Sequence, residues 1–390
     1  MWIERACSDQ LLKAVKTRPA VLLTGMRQSG KSSLLKRLFP EAVYVTLDDM
    51  ILAREANEKP KMFLKRFENA SRVIIDEIQY APGLLRELKI IIDENRDVYG
   101  KWVLTGSQRF SLMNNISESL AGRISIIELS TLSAVEIKNA GINTGVENLV
   151  KRGGFPELWK NSDMDSDIFF RDYMKTYIER DVRSIVNIGD LNSFQKFIQL
   201  LALRSANILN LSELAKDASI SPNTAKSWVS VLESSGVISI IQPYFENIGK
   251  RLIKSPKVFF CDTGLLCNLL RINGDAGLWG NPLIGQIWEN FVVCEIIKTV
   301  SMDTSANVFY YRDSNGVEID VLVIKNNMIY AVEAKSAEKP DERKFNFDKV
   351  LPLLEKKGYK TQAIVAAPIA HGRVTLEKYI YVNPGIENII

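Results

Sequence analysis

Eight residues near the amino end, Gly25-Met26-Arg27-Gln28-Ser29-Gly30-Lys31-Ser32, read G-x-x-x-x-G-K-S. That spacing makes a phosphate cradle. The backbone N–H groups of such a loop wrap around a β-phosphate, and the helix that follows adds its positive N-terminal dipole. In this pattern Lys31 reaches the β- and γ-phosphates and the Ser32 hydroxyl holds Mg²⁺. The motif needs a strand before it and a helix after it. Ala20-Val21-Leu22-Leu23-Thr24 reads as the strand, and Ser33-Leu34-Leu35-Lys36-Arg37-Leu38 as the helix. Gly25 to Ser33 is therefore the candidate ATP-binding stretch.

A phosphate-bound Mg²⁺ needs a carboxylate opposite the hydroxyl. The apolar run Val73-Ile74-Ile75 ends in Asp76-Glu77, the Walker B pattern. Asp76 is expected to bind the metal, directly or through water, and Glu77 to polarise the attacking water. Another strand-like run, Ala42 to Leu47, ends in Asp48-Asp49. Lys101-Trp102-Val103-Leu104-Thr105-Gly106-Ser107-Gln108 ends in small polar residues and resembles the sensor-1 strand of AAA-type ATPases, which implies a γ-phosphate contact from Ser107 or Gln108, with Thr105 a weaker candidate. Ser119-Leu120-Ala121-Gly122-Arg123 precedes a further strand-like run, Ile124 to Leu129. Arg123 is the candidate cation for the transition state, in cis or in trans, with a surface ion pair as the alternative.

The ordered set resembles the prokaryotic AAA-type ATPases that carry an ATPase domain followed by a C-terminal domain of unknown function. The signatures are Gly25 to Ser32, Leu47-Asp48-Asp49, Ile75-Asp76-Glu77-Ile78-Gln79, Leu104-Thr105-Gly106-Ser107, Leu120-Ala121-Gly122-Arg123, Tyr177-Ile178-Glu179-Arg180-Asp181-Val182 and Pro256 to Leu265. The resemblance spans most of the chain and implies an ATP-binding α/β domain.

After the break at Gly153-Gly154-Phe155-Pro156, the spacing predicts a long helix from about Ile168 to Val186. Leu211 to Ala218 and Pro222 to Glu233 then read as two helices around a tight turn, with Ser221 as N-cap and Pro222 in the first turn. Val237 to Tyr244 reads as a strand, so the segment is predicted to be a winged helix-turn-helix. Asn223, Thr224, Lys226, Ser227 and Ser230 are its expected exposed positions, and the basic segment Lys250 to Lys257 could add phosphate contacts. DNA contact and a protein-contact role both fit.

Farther on, Ile284 to Ile297 has the spacing of an amphipathic helix. Val308 to Arg312, Glu318 to Ile324 and Met328 to Lys335 read as three strands, with Asn326-Asn327 as a turn. Alternation puts Glu333 and Lys335 on one face, and the hairpin brings Asp320 beside them. This arrangement resembles the PD-(D/E)xK nuclease fold. The resemblance implies that Glu289, Asp320, Glu333 and Lys335 form a Mg²⁺-dependent phosphodiesterase centre, the carboxylates holding metal and the lysine orienting water. The loop before Glu318 also carries Asp313 and Asn315, so more than one carboxylate could be the ligand.

These elements fit a chain of 390 residues, too long for one ordinary core. The expected fold is α/β multidomain. A P-loop NTPase (AAA-like) parallel sheet with helices on both faces fills 1–145, a helical linker 146–205, a winged helix-turn-helix 206–250 and an α/β nuclease-like domain 251–390. Net charge is only +4, so any nucleic-acid surface must be a local cluster. A single histidine, His371, argues against triad and zinc chemistry. The four scattered cysteines read as reduced, and neither a signal peptide nor a membrane span is seen, so a cytoplasmic protein without a membrane partner is expected. Three functional readings follow: a Mg²⁺-dependent ATPase coupled to the winged helix and nuclease-like module and acting on DNA; an ATP-gated DNA nuclease; and a nucleotide-dependent protein-interaction switch with very slow turnover.

Overall fold

The computed structural model describes residues 1–106, 119–178, 191–244, 255–272, 277–300 and 306–390. The chain divides into two compact units. One is Glu4–Ser130 with Ser234–Gly236; the other is Met1–Ile3, Thr131–Glu233 and Val237–Ile390.

The first unit is built on a five-stranded sheet in the order β2-β3-β4-β1-β5. Its strands are β1 (Ala20–Thr24), β2 (Val43–Thr46), β3 (Val73–Asp76), β4 (Trp102–Gly106) and β5 (Ile124–Glu128). Each pairing is parallel. β1, β3 and β4 are buried along their whole length, as continuous runs of β-branched and apolar residues require in a sheet covered on both faces. The helices of this unit are α1 (Ser8–Thr17), α2 (Lys31–Leu38), α3 (Met50–Glu58), α4 (Pro60–Lys65) and α5 (Gly83–Glu94). Leu84, Leu85, Leu88 and Ile92 of α5 form an apolar stripe at helical spacing that packs with Ile75 and Leu104 of the sheet. Because all five strands run the same way, their C-terminal ends meet on one edge, where an open α/β sheet receives its ligand.

The second unit begins with α6 (Ala134–Asn139), α7 (Val146–Arg152), α8 (Pro156–Lys160) and α9 (Ser166–Tyr173). The helix expected from about Ile168 to Val186 starts as α9 and widens into a π-helical turn over Met174–Ile178. Its remainder, including Glu179-Arg180-Asp181-Val182, lies outside the described residues. Next come α10 (Leu191–Ala202), α11 (Leu211–Ala218), α12 (Pro222–Ser234) and the antiparallel pair β6 (Ile238–Ile241) and β7 (Lys257–Phe260). Ser221 caps α12 by accepting from the Thr224 N–H at 3.0 Å. Trp228 of α12 packs edge-on against Phe194 and Phe197 of α10, and these three rings hold the helices together.

The rest of this unit carries α13 (Thr263–Leu269), α14 (Ile284–Val300), α15 (Phe347–Glu355) and a six-stranded sheet in the order β12-β13-β11-β10-β9-β8. Its strands are β8 (Ala306–Arg312), β9 (Glu318–Lys325), β10 (Met328–Ala334), β11 (Lys360–Ala366), β12 (Arg373–Thr375) and β13 (Ile380–Val382). β8, β9 and β10 form an antiparallel meander, while β11 returns through α15 to lie parallel to β10. α14 departs from the amphipathic helix expected of it. Ile287, Trp288, Asn290, Phe291, Val292, Val293, Cys294, Glu295 and Ile296 are all buried, so it is enclosed on most sides. Among the described residues no helix is long and apolar enough to cross a membrane.

Candidate functional site

The phosphate cradle forms where β1 ends. Gly25 takes φ +147, and a Cβ there would lie 2.1 Å from the Leu129 carbonyl oxygen. Only glycine lets the chain leave the sheet at this angle and distance. Gly30 takes a left-handed φ of +94 and opens α2. Arg5 steadies the loop from outside, donating to the Ser29 and Ser130 carbonyls at 2.9 and 2.7 Å. Within it, the buried Lys31 ammonium donates to the Gly25 and Met26 carbonyls at 3.0 and 2.8 Å. Thus the loop amides and one cation gather at the N-terminus of α2.

Asp76 stands at the neighbouring strand end, only 5% exposed. Ser32 Oγ donates to its Oδ2 at 2.7 Å. The hydroxyls of Tyr44 and Thr105 donate to the same carboxylate. Burial, then the hydrogen bond to Asp76, pushes the Tyr44 phenol well above its ordinary range, so it remains a donor. The adjacent Glu77 takes a left-handed φ of +57. Its N–H donates to Thr105 Oγ1 at 3.2 Å, and its carboxylate accepts from Gln79. Lys31, Ser32, Asp76 and Glu77 are therefore gathered at one edge of the sheet. The hydroxyl and carboxylate oxygens of Ser32 and Asp76 are the hard donors that Mg²⁺ selects.

Ser107, with Gln108, lies outside the described residues. Arg123 stands apart from this cluster. Arg123 precedes β5, and its carbonyl accepts from Ala20 at the start of β1. The P-loop leaves the other end of β1, roughly 13 Å away at the rise of an extended strand. At this far edge the Arg123 guanidinium grips Asp93, with Nε and Nη2 donating to the two carboxylate oxygens at 2.7 and 2.8 Å. That contact holds the Asp93 carboxyl down at about 2. Arg123 precedes its strand whereas the P-loop follows one, and in a parallel sheet those positions fall on opposite edges. Conversely, Tyr44 and Arg5 were not singled out, because their partners are 32 and 24 residues away in the chain.

A second cluster forms in the C-terminal sheet. Glu289 of α14, Asp320 of β9, Glu333 of β10 and Lys335 just beyond it line one cavity of about 310 Å³. The antiparallel register, which pairs Val332 with Val321, carries Glu333 to the level of Asp320. Lys335 Nζ lies 2.5 Å from Glu333 and 3.5 Å from Asp320. The Ala334 N–H fixes Asp320 at 2.8 Å, and the Asn346 N–H reaches Glu333 at 3.4 Å. Burial and then the Asp320 charge push Glu333 up to about 7. The same two causes push Glu289 up to about 8. Burial alone would lower Lys335, but Asp320 and Glu333 outweigh it and raise it.

The sequence reading places Lys257 in a basic segment open to DNA; the fold corrects that. Lys257 is 2% exposed and turns into this cavity. Its ammonium bridges Glu289 at 2.7 Å and Glu318 at 2.5 Å. Lys250, Arg251 and Lys254 lie outside the described residues. Glu318 was also missed, although it sits two residues before Asp320 on the same strand face. Its second oxygen meets Arg312 at 3.0 Å.

Three family models match successive parts of the chain. Residues 17–138 match the model of an AAA domain. Residues 143–276 and 284–366 match two domains of unknown function, DUF8612 and DUF4143. Among solved structures, the Walker-type ATPase paby2304 of Pyrococcus abyssi is 17% identical with a TM-score of 0.47, over 69% of this chain and 96% of that one. The uncharacterized protein Rv2008c of Mycobacterium tuberculosis is 30% identical over 346 residues, 87% of this chain and 76% of that protein. The uncharacterized protein Mb2031c of Mycobacterium bovis matches to the same extent. With an AAA-type P-loop domain at its amino end and a DUF4143 domain beyond it, the chain belongs to the family of these two mycobacterial proteins.

Proposed function

We propose that the chain is a Mg²⁺-dependent ATPase that couples ATP binding and hydrolysis to a winged helix and a nuclease-like module acting on DNA. The observation that carries this reading is the meeting of Lys31, Ser32 and Asp76 at the C-terminal edge of a parallel sheet, with Ser32 Oγ 2.7 Å from Asp76. Gly25 to Ser33 would cradle the phosphates, and Ser32 and Asp76 would hold Mg²⁺, which supplies charge neutralisation at the γ-phosphate when bound. Lys31 would exchange its loop carbonyls for phosphate oxygens. Glu77 would polarise the attacking water, and Ser107 is the proposed γ-phosphate contact. Arg123 enters only as a group acting on a second copy's nucleotide, because β1 separates it from its own chain's cradle. The three-helix and strand-pair segment would serve as the winged helix, with Asn223 and Lys226 on its exposed face.

Lys31→Ala tests the assignment. Loss of its charge-assisted phosphate contacts should weaken ATP binding by about 100-fold or more in calorimetry. Unchanged affinity would remove the nucleotide site from this loop.

The convergence of Glu289, Asp320, Glu333 and Lys335 on one cavity favours a second reading, an ATP-gated DNA nuclease. It is supported if plasmid DNA is cleaved with Mg²⁺ and ATP and cleavage vanishes in Glu333→Ala. No cleavage on varied DNA would count against it.

A further inference from the structure

We propose that Lys257 is the resident cation of the C-terminal carboxylate cavity and holds it closed to divalent metal ions. This rests on reading that cavity as nuclease-like. Single carboxylate oxygens of Glu289, Glu318 and Asp320 lie within 4.8 Å of one another, a span that one divalent ion can bridge. The Lys257 ammonium already sits on two of them, 2.7 Å from Glu289 and 2.5 Å from Glu318. The other half of the cavity is occupied in the same manner, by Lys335 between Glu333 and Asp320. Four carboxylates thus face Lys257, Lys335 and the Arg312 guanidinium, and their charge is largely met by side chains alone.

The position of Lys257 is set by the backbone as well as by its rotamer. The flanking Pro256 and Val258 carbonyls accept from Leu209 and Ala206, both at 2.8 Å. Farther along β7, buried Asn290 clamps Phe260 in both directions, its Oδ1 accepting from the N–H at 2.8 Å and its Nδ2 donating to the carbonyl at 2.9 Å. Asn290 follows Glu289 in α14, so this clamp sets lysine and carboxylate opposite each other. An ammonium tethered this way competes with a free metal ion at a high effective concentration. The cavity opens to metal when Lys257 is removed or when β7 parts from α14.

The test is Mn²⁺ titration of the full-length, nucleotide-free protein, followed by electron paramagnetic resonance. Wild type should leave the free-Mn²⁺ signal unchanged by the further substitution Asp320→Asn. Lys257→Met should bind Mn²⁺ about 100-fold more tightly or better, since one close positive charge has gone. The double variant Lys257→Met/Asp320→Asn should lose that gain. Where Lys257→Met does not fold, as judged by circular dichroism, Lys257→Gln repeats the measurement with a donor kept toward both carboxylates. Wild-type Mn²⁺ binding that disappears in Asp320→Asn overturns the proposal without either variant. So does a folded Lys257 variant that binds no better than wild type. Mn²⁺ uptake by Lys257→Met without DNA cleavage supports the lock and counts only against the nuclease reading.

Discussion

Asp76 accepts from Ser32, Tyr44 and Thr105, and that crowding explains what its neighbour can do. A carboxylate held by three hydroxyls is fixed in place, which suits the metal-holding role proposed for it. Glu77 differs. It is half-buried, turned out of the strand by its left-handed backbone, and its carboxylate meets the neutral amide of Gln79. These features fit the water-orienting role proposed for it. Glu77→Gln keeps the shape and the backbone bond to Thr105 while removing the charge. ATP affinity should stay within about threefold, while steady-state turnover should fall by about 100-fold or more, the size of a general-base contribution. Turnover that survives the substitution would take Glu77 out of the mechanism.

At the scale of elements, two motifs with no chemistry of their own prove to be one joint. Gly153-Gly154 ends α7, and Asp262 caps α13. Asp262 is wholly buried; Oδ1 accepts from Gly264 and Leu265 at 3.0 and 3.2 Å, and Oδ2 from Gly154 at 2.8 Å. A Cβ on Gly153 would lie 2.1 Å from that carboxylate. Asp262→Ala strips a cap and leaves buried N–H groups unpaired, so it should cost about 3 kcal/mol of stability in urea unfolding. A loss below about 1 kcal/mol would show that the joint is not structural. The joint also shows where sequence reading reaches its limit. The P-loop, β3 with Asp76, and the strands bearing Asp320 and Glu333 were legible because each is a contiguous pattern whose period or spacing is local. Gly154 and Asp262 are 108 residues apart, and Lys257 and Glu289 are 32 apart. Only the fold pairs them. The enclosed α14 was misjudged for the same reason, since its second buried face is made by elements far away in the chain. For Arg123 the motif outweighed strand polarity: a residue before a parallel strand lies on the edge opposite a loop that follows one.

For the whole molecule, the question is whether nucleotide at the first unit is felt in the second. The second unit holds α10, α11, α12 and the β6–β7 pair together with the carboxylate cavity, so strand β7 belongs to both the helical segment and the cavity wall. Any motion that nucleotide imposes on this unit would be read at β7, where the Asn290 clamp and the backbone bonds from Ala206 and Leu209 hold amides in hydrogen bonds. Hydrogen exchange measured with and without a non-hydrolysable ATP analogue and Mg²⁺ separates the cases. Local binding should slow exchange in residues 25–33 and around Asp76, as ordering of the cradle demands. Coupling adds a change at 205–209 and 257–261, in either direction, and Lys31→Ala should erase both effects together. If protection changes in the cradle while 205–209 and 257–261 exchange as before, nucleotide is a ligand of the first unit alone. The coupled ATPase reading then gives way to two modules that share a chain.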